Sequence, residues 1–243
     1  MKLIFIRHGD PDYENDALTE QGVMEAKLLA PRIPGLCAKE YYMSPLGRAQ
    51  QTARLALEGT GIEPEVLWWL EEFSPRVFRP DRPERGGVAW DWLPQDWTVI
   101  DEMYQRDKWF LHPAFQEAGV FEQHRKVTEE FDAFLEKHGY VHEGRMYRAV
   151  RPSNDTIVFF CHFGLETLLL AHLTGISPMI LWHGFCALPT SVTTVASEER
   201  TSGNVQWRCI GYGDNSHLYA AGVDPGFSGR FCECYTNTDE RHI

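Results

Sequence analysis

Apolar and polar positions alternate along the chain in two rhythms, one of strands and one of helices. Lys2–Ile6 opens as a short continuous apolar run, the pattern of a strand buried on both faces. "DALTEQGVMEAKLLAPRI" changes to helical spacing. Val23, Ala26, Ala30 and Ile33 recur on one face, Thr19 stands at the N-cap, and Pro34 with Gly35 stops the helix. "EYYM" predicts a second short strand. "SPLGRAQQTARLALEGTG" predicts a second helix, with Ser44 at the N-cap, Pro45 at N1 and Gly59 as terminator. "EPEVLWWLEEF" has the composition of a further strand. "VFEQHRKVTEEFDAFLEKHG" predicts a long helix with Val127, Phe131 and Leu135 on one face and Gly139 at C′. "DTIVFFCHFG" is a second strongly apolar strand, followed by a helix over "LETLLLAHLTG". "SVTTVAS" and "VQWRCIGY" predict late strands.

This alternation predicts a three-layer α/β/α sandwich with a mostly parallel central sheet, as one domain over residues 1–243. Residues 74–119 break the rhythm and read as a lid-like insertion, with helix expected around "TVIDEMYQRDKWFL". The insertion holds Arg76, Arg79, Arg82 and Arg85 at a spacing of three, together with Trp90, Trp92, Trp97 and Trp109. That spacing shares a face on a helical turn or a polyproline-like stretch, but not on a regular strand. Arginines paired with an acidic surface and tryptophans used for packing are the plainer reading.

Composition narrows the functional classes. Lys plus Arg is 23 and Asp plus Glu is 35, so 23 − 35 gives a formal charge of −12. Such a surface repels phosphate backbones, which argues against nucleic acid as partner, yet permits a local basic pocket. No run approaches the roughly 18 apolar residues of a membrane span, and "LIFI" is too short for a signal core, so a cytoplasmic location is expected. Six scattered cysteines read as reduced thiols, and Cys232-x-Cys234 has no matching pair to complete a zinc site.

The chemistry gathers at strand ends. "LIFIRHG" and "IVFFCHFG" are apolar runs that each end in a histidine, so His8 and His162 would share the carboxyl edge of a parallel sheet, where ligands bind. Either histidine alone is as readily a strand-end residue satisfied by a backbone carbonyl. Arg48 stands in the first turn of its helix, against the dipole, which calls for a negative partner; the small neighbours Gly47 and Ala49 would admit a ligand. Similarly, Gly9 would let a ligand approach the backbone.

"RHG", "SPLGRAQQTA", "LEE" and "CHFG", in that order, with "GDNSHL" near the end, resemble the histidine phosphatase superfamily, also called phosphoglycerate-mutase-like. The resemblance implies that His8 is a nucleophile that becomes phosphorylated. It implies that Arg7, Arg48 and His162 hold the phosphoryl oxygens, and that Glu72 is the acid for the leaving group. Glu71 competes for that role; an extended segment points the two glutamates apart, and the Leu70-x-Glu72 spacing favours Glu72. Asn15, Phe163 and Arg79 are candidate substrate contacts. Phe163 stands where the family often has glycine, and Asp10, Asp12, Glu14 and Asp16 would repel a second phosphate, which favours a phosphatase over a mutase.

The implied activity is metal-independent hydrolysis of a small phosphomonoester, with no cofactor. Mutase-type transfer and a non-catalytic phospho-ligand module are the alternatives within the same fold. The oligomeric state stays open, a homodimer included. His8-Gly9-Asp10 and "YGDNSH" faintly suggest a metallophosphoesterase, but no dense His/Asp set follows.

Overall fold

In the computed structural model, which describes residues 1–242 and so leaves Ile243 of the expected domain outside, β1 (Lys2–Arg7) leads into a small hairpin. The hairpin is β2 (Pro11–Asp12) with β3 (Ala17–Leu18), and α1 (Glu20–Leu29), β4 (Glu40–Met43), α2 (Gly47–Ala56) and β5 (Glu65–Val66) follow. The insertion holds a second hairpin, β6 (Val77–Arg79) with β7 (Arg82–Gly87), and two short helices, α3 (Pro94–Trp97) and α4 (Pro113–Glu117). Next come α5 (Val120–Lys137), a hairpin of β8 (Tyr140–Glu143) and β9 (Met146–Ala149), β10 (Thr156–Cys161) and α6 (Phe163–Thr174). The order ends with α7 (Pro178–Gly184), β11 (Val192–Thr201), β12 (Asn204–Asp214) and α8 (Ser216–Ala220).

Eight strands form one sheet in the order β5-β4-β10-β1-β11-β12-β9-β8. The α/β sandwich expected from the sequence is the observed fold. Parallel pairing is confined to the half from β5 to β1; β11, β12, β9 and β8 pair antiparallel. Strand side chains alternate between faces, so β1 and β10 each feed two cores. Leu3, Phe5, Ile157 and Phe159 join Phe131, Leu135, Leu165 and Leu168 of α5 and α6. Ile4, Ile6, Val158 and Phe160 join Leu29, Ala53 and Ala56 of α1 and α2. Each of the large apolar side chains removed from water contributes roughly 1.5–3 kcal/mol, which fixes the two central strands and their ends.

Several expectations are corrected. α1 is capped by Thr19, whose hydroxyl accepts from the Gly22 amide, but it ends at Leu29 and continues as 3-10 turns. Its buried face is Gly22, Glu25, Ala26 and Leu29 rather than one centred on Val23 and Ala30. The cause is Gly22, which must touch the backbone of Gly9 and Asp10. α2 begins at Gly47, not at Pro45, and its first amide is capped from a distant loop: Gly47 N donates to Asp16 Oδ2 at 2.6 Å. The expected strand over "EPEVLWWLEEF" is only Glu65–Val66, after which Trp68–Leu70 turns as 3-10 helix because Trp69 and Leu70 must enter the core. "TVIDEMYQRDKWFL" forms 3-10 turns and not a helix. Trp92, Trp97 and Trp109 are buried in the same core as α5 and α6, so the insertion is anchored to the sheet's face. α5 runs as expected to Gly139, whose left-handed φ of 91° ends it.

Candidate active site

β1 and β10 are parallel neighbours with Arg7 opposite Cys161, so the residues after them meet. The rings of His8 and His162 lie 5.1 Å apart, centre to centre, at the carboxyl edge of the sheet. The His8 amide donates to the Cys161 carbonyl at 3.0 Å, which ties the two strand ends together. His8 Nδ1 is 2.7 Å from the Gly9 carbonyl. A carbonyl only accepts, so Nδ1 carries the proton and Nε2 keeps its lone pair. Burial, then the charges of Arg7 and Arg48, hold the His8 pKa well below the usual imidazole range, against the Gly9 bond. His8 is therefore neutral at physiological pH.

His162 is pushed the same way, by burial, then by His8 and the two arginines. Its Nε2 lies 2.7 Å from the Ser44 hydroxyl, while its Nδ1 is buried without a partner. A hydroxyl can donate or accept; in the tautomer in which Ser44 donates to Nε2, the proton of His162 sits on Nδ1 and is free to donate. Arg7 is held by the carbonyls of Ala187 at 2.6 Å and Ser228 at 3.2 Å. Arg48 is held by Asp16 Oδ1 at 2.6 Å and lies over the Tyr13 ring. Asp16 is thus the negative partner that the placement of Arg48 demanded. Both arginines keep a buried Nε without a partner.

Glu72 reaches the same edge. Its Oε1 accepts from the amides of Phe73 and Leu165, each at 2.9 Å, and its Oε2 accepts from Gly164 at 3.3 Å. Burial raises its pKa above the carboxylate range, although the amides and both arginines oppose this. Glu71 is exposed. The first turn of α6 can receive Glu72 because residue 164 is glycine: a Cβ there would lie 2.9 Å from Glu72 Oε1 and 2.3 Å from the Trp90 ring.

A cleft of about 460 Å³ opens above this edge, walled by Arg7, Arg48, Glu72, Trp90, Phe163 and Arg241 among others. Phe163 meets Trp90 edge-on and lies 5.9 Å from the Arg7 guanidinium carbon. The other candidate contacts are not brought here. Asn15 is exposed and bonded to Asp12 at 2.8 Å, and Arg79 is buried in a bidentate pair with Asp81. The acidic loop is largely engaged: Asp10 accepts from Thr19, Asp12 from Asn15, and Asp16 from Arg48. The small residues serve packing instead of ligand approach. A Cβ on Gly9 would strike the Gly22 carbonyl at 2.6 Å, one on Gly47 the Asp16 carbonyl at 2.3 Å, and Ala49 is buried.

Two features were not foreseen in the sequence. Glu166 is buried one turn into α6 with both oxygens unpartnered, and burial pushes its pKa up to about 8. A lone carboxylate inside "LETLLLA" was the available signal. The chain after α8 also returns to the cleft. Gly226 N donates to buried Glu25 at 2.6 Å, the Ser228 hydroxyl accepts from Arg7 at 3.2 Å, and Gly229 and Arg241 line the cleft.

Among the described residues, the one His/Cys/Asp/Glu group with metal-ligand spacing is Asp132 with His142 and His172. Its carboxylate is already satisfied by His142 at 2.7 Å, His172 at 2.9 Å and the Tyr147 hydroxyl at 2.7 Å. The "YGDNSH" side chains are engaged as well, Asp214 with Arg32 and His217 with Thr190. No helix among the described residues is long and apolar enough to cross a membrane.

The phosphoserine phosphatase of Entamoeba histolytica superimposes with a TM-score of 0.60 at 20% identity, over 89% of this chain and 98% of that one. The alpha-ribazole phosphatase of Shigella flexneri gives 0.55 at 18% identity, over 88% and 97%. The mycobacterial glucosyl-3-phosphoglycerate phosphatase gives 0.53 at 19% identity, over 87% and 98%. No curated protein matches the chain in sequence. A sequence profile of the histidine phosphatase superfamily (branch 1) matches residues 3–210, and the chain belongs to that superfamily.

Proposed function

We propose that this protein hydrolyses a small phosphomonoester through a phosphohistidine on His8, without a metal. One observation carries the reading: three buried nitrogens around His8 lack partners, namely Arg7 Nε, Arg48 Nε and His162 Nδ1, the last a donor in the tautomer in which Ser44 donates to Nε2. A buried donor left unpaired costs roughly 1–3 kcal/mol, and a phosphoryl group supplies acceptors for all three. Phosphoryl transfer needs alignment and charge neutralisation more than covalent assistance, and two permanent guanidiniums with a neutral imidazole meet that need.

In this reading the lone pair on His8 Nε2 attacks phosphorus while Arg7, Arg48 and His162 hold the non-bridging oxygens. The proton held on Nδ1 by the Gly9 carbonyl keeps the ring in the nucleophilic tautomer. Glu72, biased toward its protonated form by burial, gives a proton to the departing alkoxide. As carboxylate it then takes one from the water that attacks the phosphohistidine, which restores neutral His8 and releases phosphate.

The test is phosphate release from a panel of phosphomonoesters, with EDTA present. Release that persists in chelator and is lost in His8→Ala supports the reading. Transfer of the phosphoryl group to a second hydroxyl, with no free phosphate, would make the protein a mutase. Undiminished release by His8→Ala would refute the phosphohistidine route.

A further inference from the structure

The cleft does not end at its own wall. Val88 and Asp91, which line it, also line an adjoining groove of about 260 Å³ whose other walls are Arg79, Arg82 and Arg85 of the β6–β7 hairpin. A regular strand would send Arg82 and Arg85 to opposite sides. The hairpin avoids this with a register shift, from Arg79 opposite Arg82 to Phe78 opposite Gly86. One residue of advance on β6 matches four on β7, and the bulge brings both arginines to one wall.

The three guanidiniums are not equivalent. Arg79 is spent on Asp81, at 2.8 and 2.6 Å, and fixes the hairpin. Arg82 reaches the same carboxylate only at 3.9 Å. Arg85 is exposed and makes no hydrogen bond or ion pair among the described residues. Acids outnumber bases 35 to 23 in this chain, so carboxylate partners abound. Solvated surface arginines are the plain alternative. Against that, two under-compensated guanidiniums share one wall of a groove joined to the phosphate cleft. Asp91, at the junction, is the only carboxylate in the groove lining among the described residues.

We infer that the groove is a second anion subsite. The substrate is a phosphomonoester whose leaving group carries a further phosphate or carboxylate, held by Arg82 and Arg85. This rests on the phosphatase reading above and names its substrate class. A charge-assisted bond to each guanidinium predicts a ~10-fold preference for such substrates. Asp91 opposes the same anion, so Asp91→Asn should enlarge the preference.

The experiment compares kcat/KM for glucose 6-phosphate, 6-phosphogluconate and glucose 1,6-bisphosphate in the wild type and in Arg82→Ala/Arg85→Ala. Thermal melts confirm that the variant is folded. The expected result is a ~10-fold advantage for one or both doubly anionic esters, falling to within ~2-fold of unity in the double variant, mainly through KM. Whichever ester loses its advantage identifies the second anion as carboxylate or phosphate. No preference in the wild type, or one unchanged in the variant, overturns the subsite. The phosphatase reading fails separately, if the wild type releases phosphate from none of the wider panel of phosphomonoesters. Binding of glucose 1,6-bisphosphate to His8→Ala protein, with and without the arginine pair, then decides the subsite, and equal affinities overturn it.

Discussion

Replacing Glu166 by glutamine should flatten the alkaline side of the stability profile. The carboxyl is buried in the first turn of α6, and neither oxygen has a partner at bonding geometry. Burial raises its pKa from 4.5 to about 8, while the nearby Thr193 side chain and the charge of Arg7 pull the other way. The folded protein therefore keeps a proton that the unfolded chain has already released. Between these two values the native state binds more protons, so stability falls as pH rises from about 4.5 to about 8, and levels off above. A shift of about 3.5 units corresponds to roughly 5 kcal/mol, of which about 4 kcal/mol falls between pH 5 and pH 9. That is a large part of a typical domain's 5–15 kcal/mol.

Glutamine has the same shape and stays neutral. Glu166→Gln should match the wild type within about 1 kcal/mol at pH 5 and exceed it by several kcal/mol at pH 9. Urea unfolding at pH 5, 7 and 9, read as midpoints at constant slope, measures the difference. Glu25 also titrates high, but both proteins share it and it does not interact with Glu166, so it cancels; the charge of Glu72 helps to raise Glu166, so the measured difference includes that coupling. Parallel pH profiles for the two proteins would refute the assignment of a protonated Glu166.

Two further substitutions probe the site. Asp16→Asn removes the anionic anchor of Arg48 and weakens the cap on α2, so kcat/KM should fall about 10-fold and stability by about 1 kcal/mol; unchanged kinetics would mean that Asp16 does not orient Arg48. Gly164→Ala forces a Cβ to within 2.3 Å of the Trp90 ring. This should cost about 1–3 kcal/mol, shift tryptophan emission and depress turnover, whereas an unaltered spectrum with full activity would contradict the packing of Trp90 on α6.

What the sequence revealed follows from which forces act locally. β1 and β10 were legible because strands buried on both faces write continuous apolar runs, and their register brings His8 and His162 together without further information. Arg48 was legible as an arginine placed against a helix dipole, but its partner Asp16 was not, because capping from another loop leaves no mark in local spacing. The β6–β7 hairpin was hidden by a bulge that breaks the two-residue alternation. The path of the chain beyond α8 was unreadable for a different reason. Polar contacts to Glu25 and Arg7 fix it, and such contacts have no periodicity.

The central claim is that His8 forms a covalent bond to phosphorus. Rapid-quench mass spectrometry of the protein mixed with a hydrolysable phosphomonoester tests it directly. The account predicts one phosphoryl group on His8 during turnover, and none in His8→Ala, which releases no phosphate. Steady hydrolysis by the wild type with no phosphoryl group on His8 at any quench time, or hydrolysis surviving in His8→Ala, would contradict it.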